Sequence, residues 1–350
     1  MSNKILVIGG GPAGLEAARS VAELGGEAIL IEKRERLGGT PDREGYAKLT
    51  HHWRDASEAM AELAASVTSS ARVEVKYNAE VKGMSGSAGN FNVEIEAGGV
   101  AESLNVGAVI VATGFQHFDP GRATQQYNYY TFPDVVTLTD LEKMLKDHHV
   151  VRPSNGEAPK KIAFIQCVGS RDRRIGNEYC SKVCCGIASK QAIELRELLP
   201  DSKVMIFYID MRMYGYWENE IYWPAQEKYK VNYVKGVISE VLKKGDQLLI
   251  RGEDTTMGRP MEVTMDMVVL SIGMEPSAGT RAIAQTLGVK QNKYGFIEAG
   301  GEGGLDTVAT SAPGVFVAGA AAGPADLNDS ISMAGLAAAR AVAAAQKVAA

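Results

Sequence analysis

The chain has 350 residues, 45% hydrophobic and 23% charged, with a formal net charge of −5 and four cysteines. That length suits two domains better than one, and the composition is that of a water-soluble globular protein. The acidic balance excludes the broad basic face that non-specific nucleic-acid binding needs.

In chain order, Met1-Ser2-Asn3-Lys4 runs straight into a buried-strand pattern, which predicts no signal peptide. Residues 4–32, KILVIGGGPAGLEAARSVAELGGEAILIE, then predict a strand, a glycine turn, an amphipathic helix and a second strand ending at Glu32. The turn reads Gly9-Gly10-Gly11-Pro12-Ala13-Gly14. Gly9 permits the sharp bend, Gly11 lets backbone approach a pyrophosphate, and Gly14 lets helix and strand pack closely. Free N–H groups at the helix start face the phosphate charge, and Glu32 is placed to bond both ribose hydroxyls. A strand before, a helix after and an acid at this distance together point to a dinucleotide site.

Several segments resemble the two-dinucleotide-binding-domain flavoproteins, whose fold is thioredoxin-reductase-like. Gly38-Gly39 resembles the glycines that line the FAD channel there. VGAVIVATGFQ (106–116) resembles the strand and turn that return the chain to the FAD domain. DMVVLSIGMEPS (266–277) is similar to its counterpart leaving a second domain, and TSAPGVFVAGAAAGPADLNDS (310–330) to the strand and helix beneath the flavin. Where such proteins carry Asp after the last Ala-Gly, this chain has Ala320, with Asp326 or Asp329 as candidate replacements. The expected fold class is α/β, with parallel sheets and antiparallel crossover strands. Its domains are an FAD-binding domain of residues 1–120 and 285–350 and a second Rossmann-like domain of 121–284.

In the second domain the strand pattern KKIAFIQ (160–166) leads not into a glycine fingerprint but into Cys167-Val168-Gly169-Ser170. A helix pattern (CCGIASKQAIELRELLP), a strand pattern (SKVMIFYID) and two further short strand patterns follow. The expectation is a kept fold whose nucleotide loop is replaced, so a conventional NADPH site is not predicted. All four cysteines, Cys167, Cys180, Cys184 and Cys185, lie within this replacement. In a cytoplasmic, reducing setting such clustering favours metal binding over disulfides. Structural zinc usually uses two turn-borne pairs, whereas a wider [4Fe–4S] cubane accepts more varied loops. The spacing therefore favours [4Fe–4S], with a redox dithiol, zinc or inert thiols left open. Arg171, Arg173 and Arg174 either offset cluster charge or form a solvated basic loop.

The stretch KKIAFIQCVGSRDRRIGNEYCSKVCCGIASKQAI, with VATGFQHFDP, VVRPSNGEAPKKIAF, FYIDMR and GPADLNDS, resembles the A-type subunit of heterodisulfide reductase. The resemblance covers nearly the whole chain. It implies FAD beside a [4Fe–4S] cluster ligated by Cys167, Cys180, Cys184 and Cys185. It also implies an electron-transfer role within a multisubunit complex, partnered by the other subunits and with a homodimer as a further arrangement. The FAD contacts so implied are Gly9, Gly11, Pro12, Ala13, Gly14, Glu32, Lys33, Gly39, Val81, Ala112, Thr113, Gly114, Gly319, Ala320, Asp326 and Ser330. Lys190, at the family's offset past the vicinal cysteines, is implied to approach flavin N5; without the resemblance it reads as a surface lysine. The chain lacks the methanogen-type ferredoxin-like inserts and the extra cysteine-rich loop. It is therefore more similar to the short form found in sulfur-oxidising heterodisulfide-reductase-like complexes. Alternatives are the A-type subunit of a quinone-interacting oxidoreductase and a self-sufficient NAD(P)H-dependent dithiol reductase.

The remaining features carry less. His51-His52 and His148-His149 read as exposed loop histidines, and SGSAGN (85–90) as a hairpin loop. The aromatic run MYGYWENEIYW (213–223) reads as a docking patch or as simple packing. The apolar stretch 331–350 is alanine-rich and carries Arg340 and Lys347, which predicts a packed terminal helix and no direct membrane insertion.

Overall fold

The computed structural model describes residues 2–50, 52–122, 125–301 and 304–347; His51 and the last three residues of the predicted terminal helix lie outside them. The chain divides into two compact units. One comprises Met1–Arg43, Ala56–Gln116 and Glu275–Ala350, the other Glu44–Asp55 and His117–Met274.

The first unit is built on five parallel strands in the order Val315–Val317, Ala108–Val111, Lys4–Ile8, Glu27–Ile31, Val73–Lys76. Side chains alternate across a strand, and both faces of the three inner strands are covered, so these are nearly unbroken apolar runs, whereas the edge strand Val73–Lys76 alternates as VEVK. Ile5 and Val7 enter a core with the helices Pro12–Glu23 and Leu327–Lys347. Leu6 and Ile8 face the opposite way, toward a three-stranded antiparallel sheet and the helix Ala278–Thr286. Ala334, Ala337, Ala338 and Ala341 recur on one face of the last helix and are wholly buried against the first helix, whose Ala17 and Ala18 are equally small. No helix of the described residues is long and apolar enough to cross a membrane.

The second unit holds a seven-stranded sheet in the order Arg259–Met265, Gln247–Asp254, Asn232–Lys244, Lys203–Tyr208, Lys161–Val168, Met267–Ile272, Val135–Thr137. Its last five strands pair in parallel, and the first three form an antiparallel meander. The two short strand patterns expected here are in fact three strands, the longest of 13 residues, because Asn232–Lys244 pairs with both neighbours along different halves.

The units part from the expected domain boundaries in two places. Helix Ala278–Thr286 belongs to the first unit, where Thr280 Oγ1 donates to Gly114 O at 2.8 Å and meets Thr113 Oγ1 at 2.8 Å. Residues 44–55 belong to the second: Ala47 N–H donates to Glu142 Oε2 at 2.9 Å, and Tyr46 Oη bonds His117 Nε2 at 3.0 Å.

The hairpin expected over 85–90 turns on Ala88-Gly89 alone, since Ser87 pairs with Asn90. The aromatic run is neither strand nor loop. It winds through a π-helical turn, Glu218–Tyr222, into the helix Trp223–Glu227. Trp217 is buried and sits where any side chain at Gly186 would clash, whereas Tyr216 is 75% exposed. Packing therefore explains Trp217 and leaves Tyr214, Tyr216 and Trp223 on the surface.

Candidate functional site

In the first unit the strand ending at Ile8 turns over three residues into the helix beginning at Pro12. Gly9 has φ +110, where L side chains rarely go, and a Cβ there would lie 2.5 Å from Ala112 O. A Cβ on Gly14 would lie 1.7 Å from Gly9 O, so helix and strand touch through hydrogens alone. Gly11 is different. Its backbone is extended, and a Cβ would meet nothing nearer than Gly39 Cα at 3.5 Å. Protein packing does not require glycine there. Gly11 is also the helix N-cap and has no side-chain cap, which leaves the first-turn N–H groups for an anion. Gly39 reaches back to this turn: its own Cβ would lie 2.5 Å from Gly11 Cα.

Glu32 follows the second strand and is buried. Its Oε2 accepts from Gly10 N–H at 2.7 Å, and its Oε1 accepts from Arg34 N–H at 3.0 Å. Arg34 Nε also donates to Oε1, at 3.3 Å, so the carboxylate is fixed against the turn with a further lone pair on Oε2 for a hydroxyl. Lys33 beside it is exposed. Gly319, at φ +64, packs against Ala13 and Ser330, and Ala112 lies 3.5 Å from where a Gly14 Cβ would be. The turn residues Gly9 to Gly14 thus come together with Glu32, Gly39, Ala112, Gly319 and Ser330. Ala320 is buried in a single 3-10 turn. Asp326 and Asp329 cap the last helix reciprocally, each accepting from the other's backbone N–H at 2.8–3.0 Å. Val81 lies on the strand Ala79–Ser87 of the antiparallel sheet.

The second unit repeats the strand–turn–helix plan with different chemistry. Strand Lys161–Val168 shifts register between Ile165 and Val168, and within that bulge Cys167 takes φ +62. Arg171 and Lys182 are also left-handed, at φ +56 and +65, so three non-glycine residues of the window hold a costly conformation. The helix Cys184–Leu198 opens on the vicinal pair. Successive residues on a helix point about 100° apart, so Cys184 and Cys185 cannot join to each other within it. All four cysteines are free thiols. Burial, then the nearby Cys185 sulfur, pushes Cys167 up to about 11, against the pull of Arg171. Burial also raises Cys185, and raises the wholly buried Cys184 well above an ordinary thiol.

Cys184 feels the other three sulfurs electrostatically and Cys167 feels those of Cys185 and Cys180, so the four share one neighbourhood. Among the described residues no group of three or more His, Cys, Asp or Glu side chains is gathered tightly enough for a metal ion. Four sulfurs that sense one another without converging on a point match a wide cluster better than a single ion. Around Cys167, polar atoms of Gln166, Ser170 and Arg171 are buried without hydrogen-bond partners. Such orphans are rare in a finished core and suit a group that accepts hydrogen bonds. The thiols must lose their protons before they ligate, so loading is favoured by rising pH.

Lys190 is not a surface lysine; its side chain is 1% exposed. Its ammonium donates to Glu142 Oε1 at 2.6 Å and to Lys48 O at 2.9 Å, and lies 3.1 Å from Glu194 Oε2. Gln191 Nε2 also donates to Glu142 Oε1, at 2.7 Å. Burial pulls the ammonium's pKa down, but Glu142 and then Glu194 outweigh it and hold the pKa above the usual lysine value. Glu194, four residues along the same helix, was a legible partner; Glu142, on the helix Leu138–Lys146, was not. Asp210 escaped notice for the same reason: it follows another strand, and nothing in its sequence neighbourhood marks it as facing a cysteine.

A family model described as pyridine nucleotide-disulphide oxidoreductase matches residues 3–346. The chain is 32% identical to the A-type subunit of the H(2):CoB-CoM heterodisulfide,ferredoxin reductase of Methanothermobacter marburgensis, over 97% of this chain and 64% of that one. It is 31% identical to the second A-type iron-sulfur subunit of the CoB--CoM heterodisulfide reductase of Methanopyrus kandleri, with the same coverage. The chain therefore spans less than two thirds of these curated relatives. Among solved structures, the thioredoxin reductases of T. acidophilum and Lactococcus lactis match with TM-scores of 0.66 and 0.65. Their identities are 18% and 16%, and each match covers 98% of this chain and 99% of the other. The fold is thioredoxin-reductase-like, and the resemblance to the A-type subunits of heterodisulfide reductase extends over nearly the full chain.

Proposed function

The chain belongs to the pyridine nucleotide-disulphide oxidoreductase family, and on that premise we propose that it is an FAD- and [4Fe–4S]-containing electron-transfer component of a heterodisulfide-reductase-like complex. The proposal extends to sulfur oxidation as the setting, the cytoplasm as the place and other subunits of the complex as partners. One observation carries it. The first strand–turn–helix keeps a cradle shaped for a pyrophosphate, while the second, where an NADPH loop would sit, gathers four sulfurs instead.

When bound, FAD would exchange electron pairs and the cluster single electrons. The residues' part is to hold and tune. Backbone N–H groups at the Pro12 helix start receive the pyrophosphate, Glu32 fixes the ribose, and Gly11 and Gly39 leave room for both. Cys167, Cys180, Cys184 and Cys185 are the ligands for the iron. Lys190 keeps its positive charge between two buried carboxylates, which occupy its ammonium. With all four thiols assigned to iron, the proposal gives disulfide conversion to partner subunits.

Anaerobic purification with reconstitution tests the reading. Expected are FAD by chromatography of the extract, about four iron and four sulfide per chain, and a reduced-cluster EPR signal. FMN, or no flavin after reconstitution with FAD, overturns the first half. Iron-free protein overturns the second, and rapid bleaching by NADPH would favour the dithiol-reductase alternative.

A further inference from the structure

Three arginines stand in the cysteine window, and the fold separates them. Arg173 is 91% exposed and reaches only toward Glu178. Arg174 pairs with Asp172, which caps the same short turn, and with Gln126. Arg171 alone turns inward. Its side chain is 19% exposed, its Nη1 is buried with no hydrogen-bond partner, and its guanidinium attracts the Cys167 sulfur.

Arg171 is also clamped. Its Nη2 donates to Asp210 Oδ2 at 2.7 Å, and the Asp210 carbonyl lies 3.9 Å from Cys185 Sγ. The backbone N–H of Arg171 donates to Tyr179 O at 2.8 Å, which helps hold its left-handed conformation. The Arg171–Asp210 pair therefore spans two of the four sulfurs. At the other sulfurs, Lys182 N–H reaches Cys180 Sγ at 3.3 Å, and Arg212 serves Cys185 first through its backbone and, less, through its charge, where Arg171 also acts.

Resting on the cluster reading above, we propose that Arg171 sets the reduction potential of the cluster through a charge-assisted hydrogen bond to the Cys167 sulfur, with Asp210 as its positioning residue. Reduction adds one negative charge. A cation and donor fixed at a ligand sulfur favours the more negative form and raises the potential. Backbone donors at the other sulfurs do this less, and an exposed arginine is screened by water and salt.

The test is an EPR-monitored redox titration of reconstituted protein, with iron, sulfide and FAD content measured on every sample. Arg171→Met should load a full cluster and shift its reduced-to-oxidised ratio at fixed potential about tenfold toward oxidised, about 59 mV for one electron. Arg171→Lys should recover part of the shift, and Arg173→Met should show none. An unmoved midpoint in fully loaded Arg171→Met overturns the proposal, as does an equal shift in Arg173→Met. If Arg171→Met fails to load, Asp210→Asn keeps the arginine and should lower the midpoint by a smaller factor; a wild-type midpoint there overturns it. Wild-type protein that takes up no iron removes the cluster reading itself, and this inference with it.

Discussion

The two strand–turn–helix segments invite direct comparison. The first crosses from Ile8 to Pro12 in three residues, all glycine; the second crosses from Val168 to Cys184 in fifteen and contains the strained window. The helices differ as much as the turns. Pro12–Glu23 buries Ala13, Leu15, Ala17, Ala18 and Val21 with the single charged residue Glu16, whereas Cys184–Leu198 also buries Ser189, Lys190, Gln191 and Glu194. The first segment works by leaving space and free N–H groups. The second works by supplying sulfur, charge and hydrogen-bond donors. One topology thus supports either kind of site, and only the turn and the helix face must change.

Glycine substitutions should break the first half of that contrast, with the largest effects. Gly14→Val would drive a side chain into Gly9 O and should destabilise the protein by about 4 kcal/mol or more, measured by urea unfolding. Gly11→Ala meets no such obstacle, and its apo stability should stay within about 1 kcal/mol of wild type. Its flavin content after reconstitution should nonetheless collapse. Equal loss of stability in the two variants would mean that both glycines serve packing and that the cradle is no cradle.

On the other segment, Lys190→Met removes the buried cation bonded to Glu142 and Glu194. A buried pair broken from one side costs about 3–5 kcal/mol, because uncompensated carboxylate remains. A large loss of stability is therefore expected, and any change in flavin potential has to be read on protein shown to be folded. Pairing the change with Glu142→Gln should recover part of the loss. A loss below about 1 kcal/mol would show that the second helix does not depend on a buried ion pair.

How much of this was legible in the sequence follows the same division. The glycine turn, its flanking strands and Glu32 could be read because each need is local: a bend, a close approach, an acid at a set distance. The cysteines could be found by spacing. Their surroundings could not, since Glu142 and Asp210 come from other elements, and inward and outward arginines look alike in SRDRR. The segment 44–55 falls outside the expected boundary because its attachment rests on non-local bonds, among them Tyr46 with His117, Ala47 with Glu142 and Lys190 with Lys48. In the sequence the aromatic run stays open between docking and packing, because a π-helical turn has no simple hydrophobic period from which to tell the buried Trp217 from its exposed neighbours.

The smallest expected effect lies in Glu194. Burial, with Glu142 adding to it, raises the carboxyl pKa, while Lys190 and, last, Lys48 pull the other way without prevailing. In the unfolded chain the group ionises near the ordinary glutamate value, about 4.3. Just above that pH the unfolded state has released its proton while the folded state still holds one. Stability therefore falls as pH rises through this window, and the contribution is fully present only below it. Glu194→Gln deletes the titration and leaves the Lys190–Glu142 bond in place. Relative to wild type, the variant should gain stability as pH rises from about 4 to 7 and lie within about 1 kcal/mol of it at neutral pH. Urea unfolding of both proteins across that range gives the difference curve. A curve of opposite slope would mean that Lys190 holds Glu194 ionised at every pH tested, so that the polar face of the second helix carries a net negative charge beside its lysine. A flat curve would mean that Glu194 titrates alike in both states, and the two helices would then differ less than their buried residues suggest.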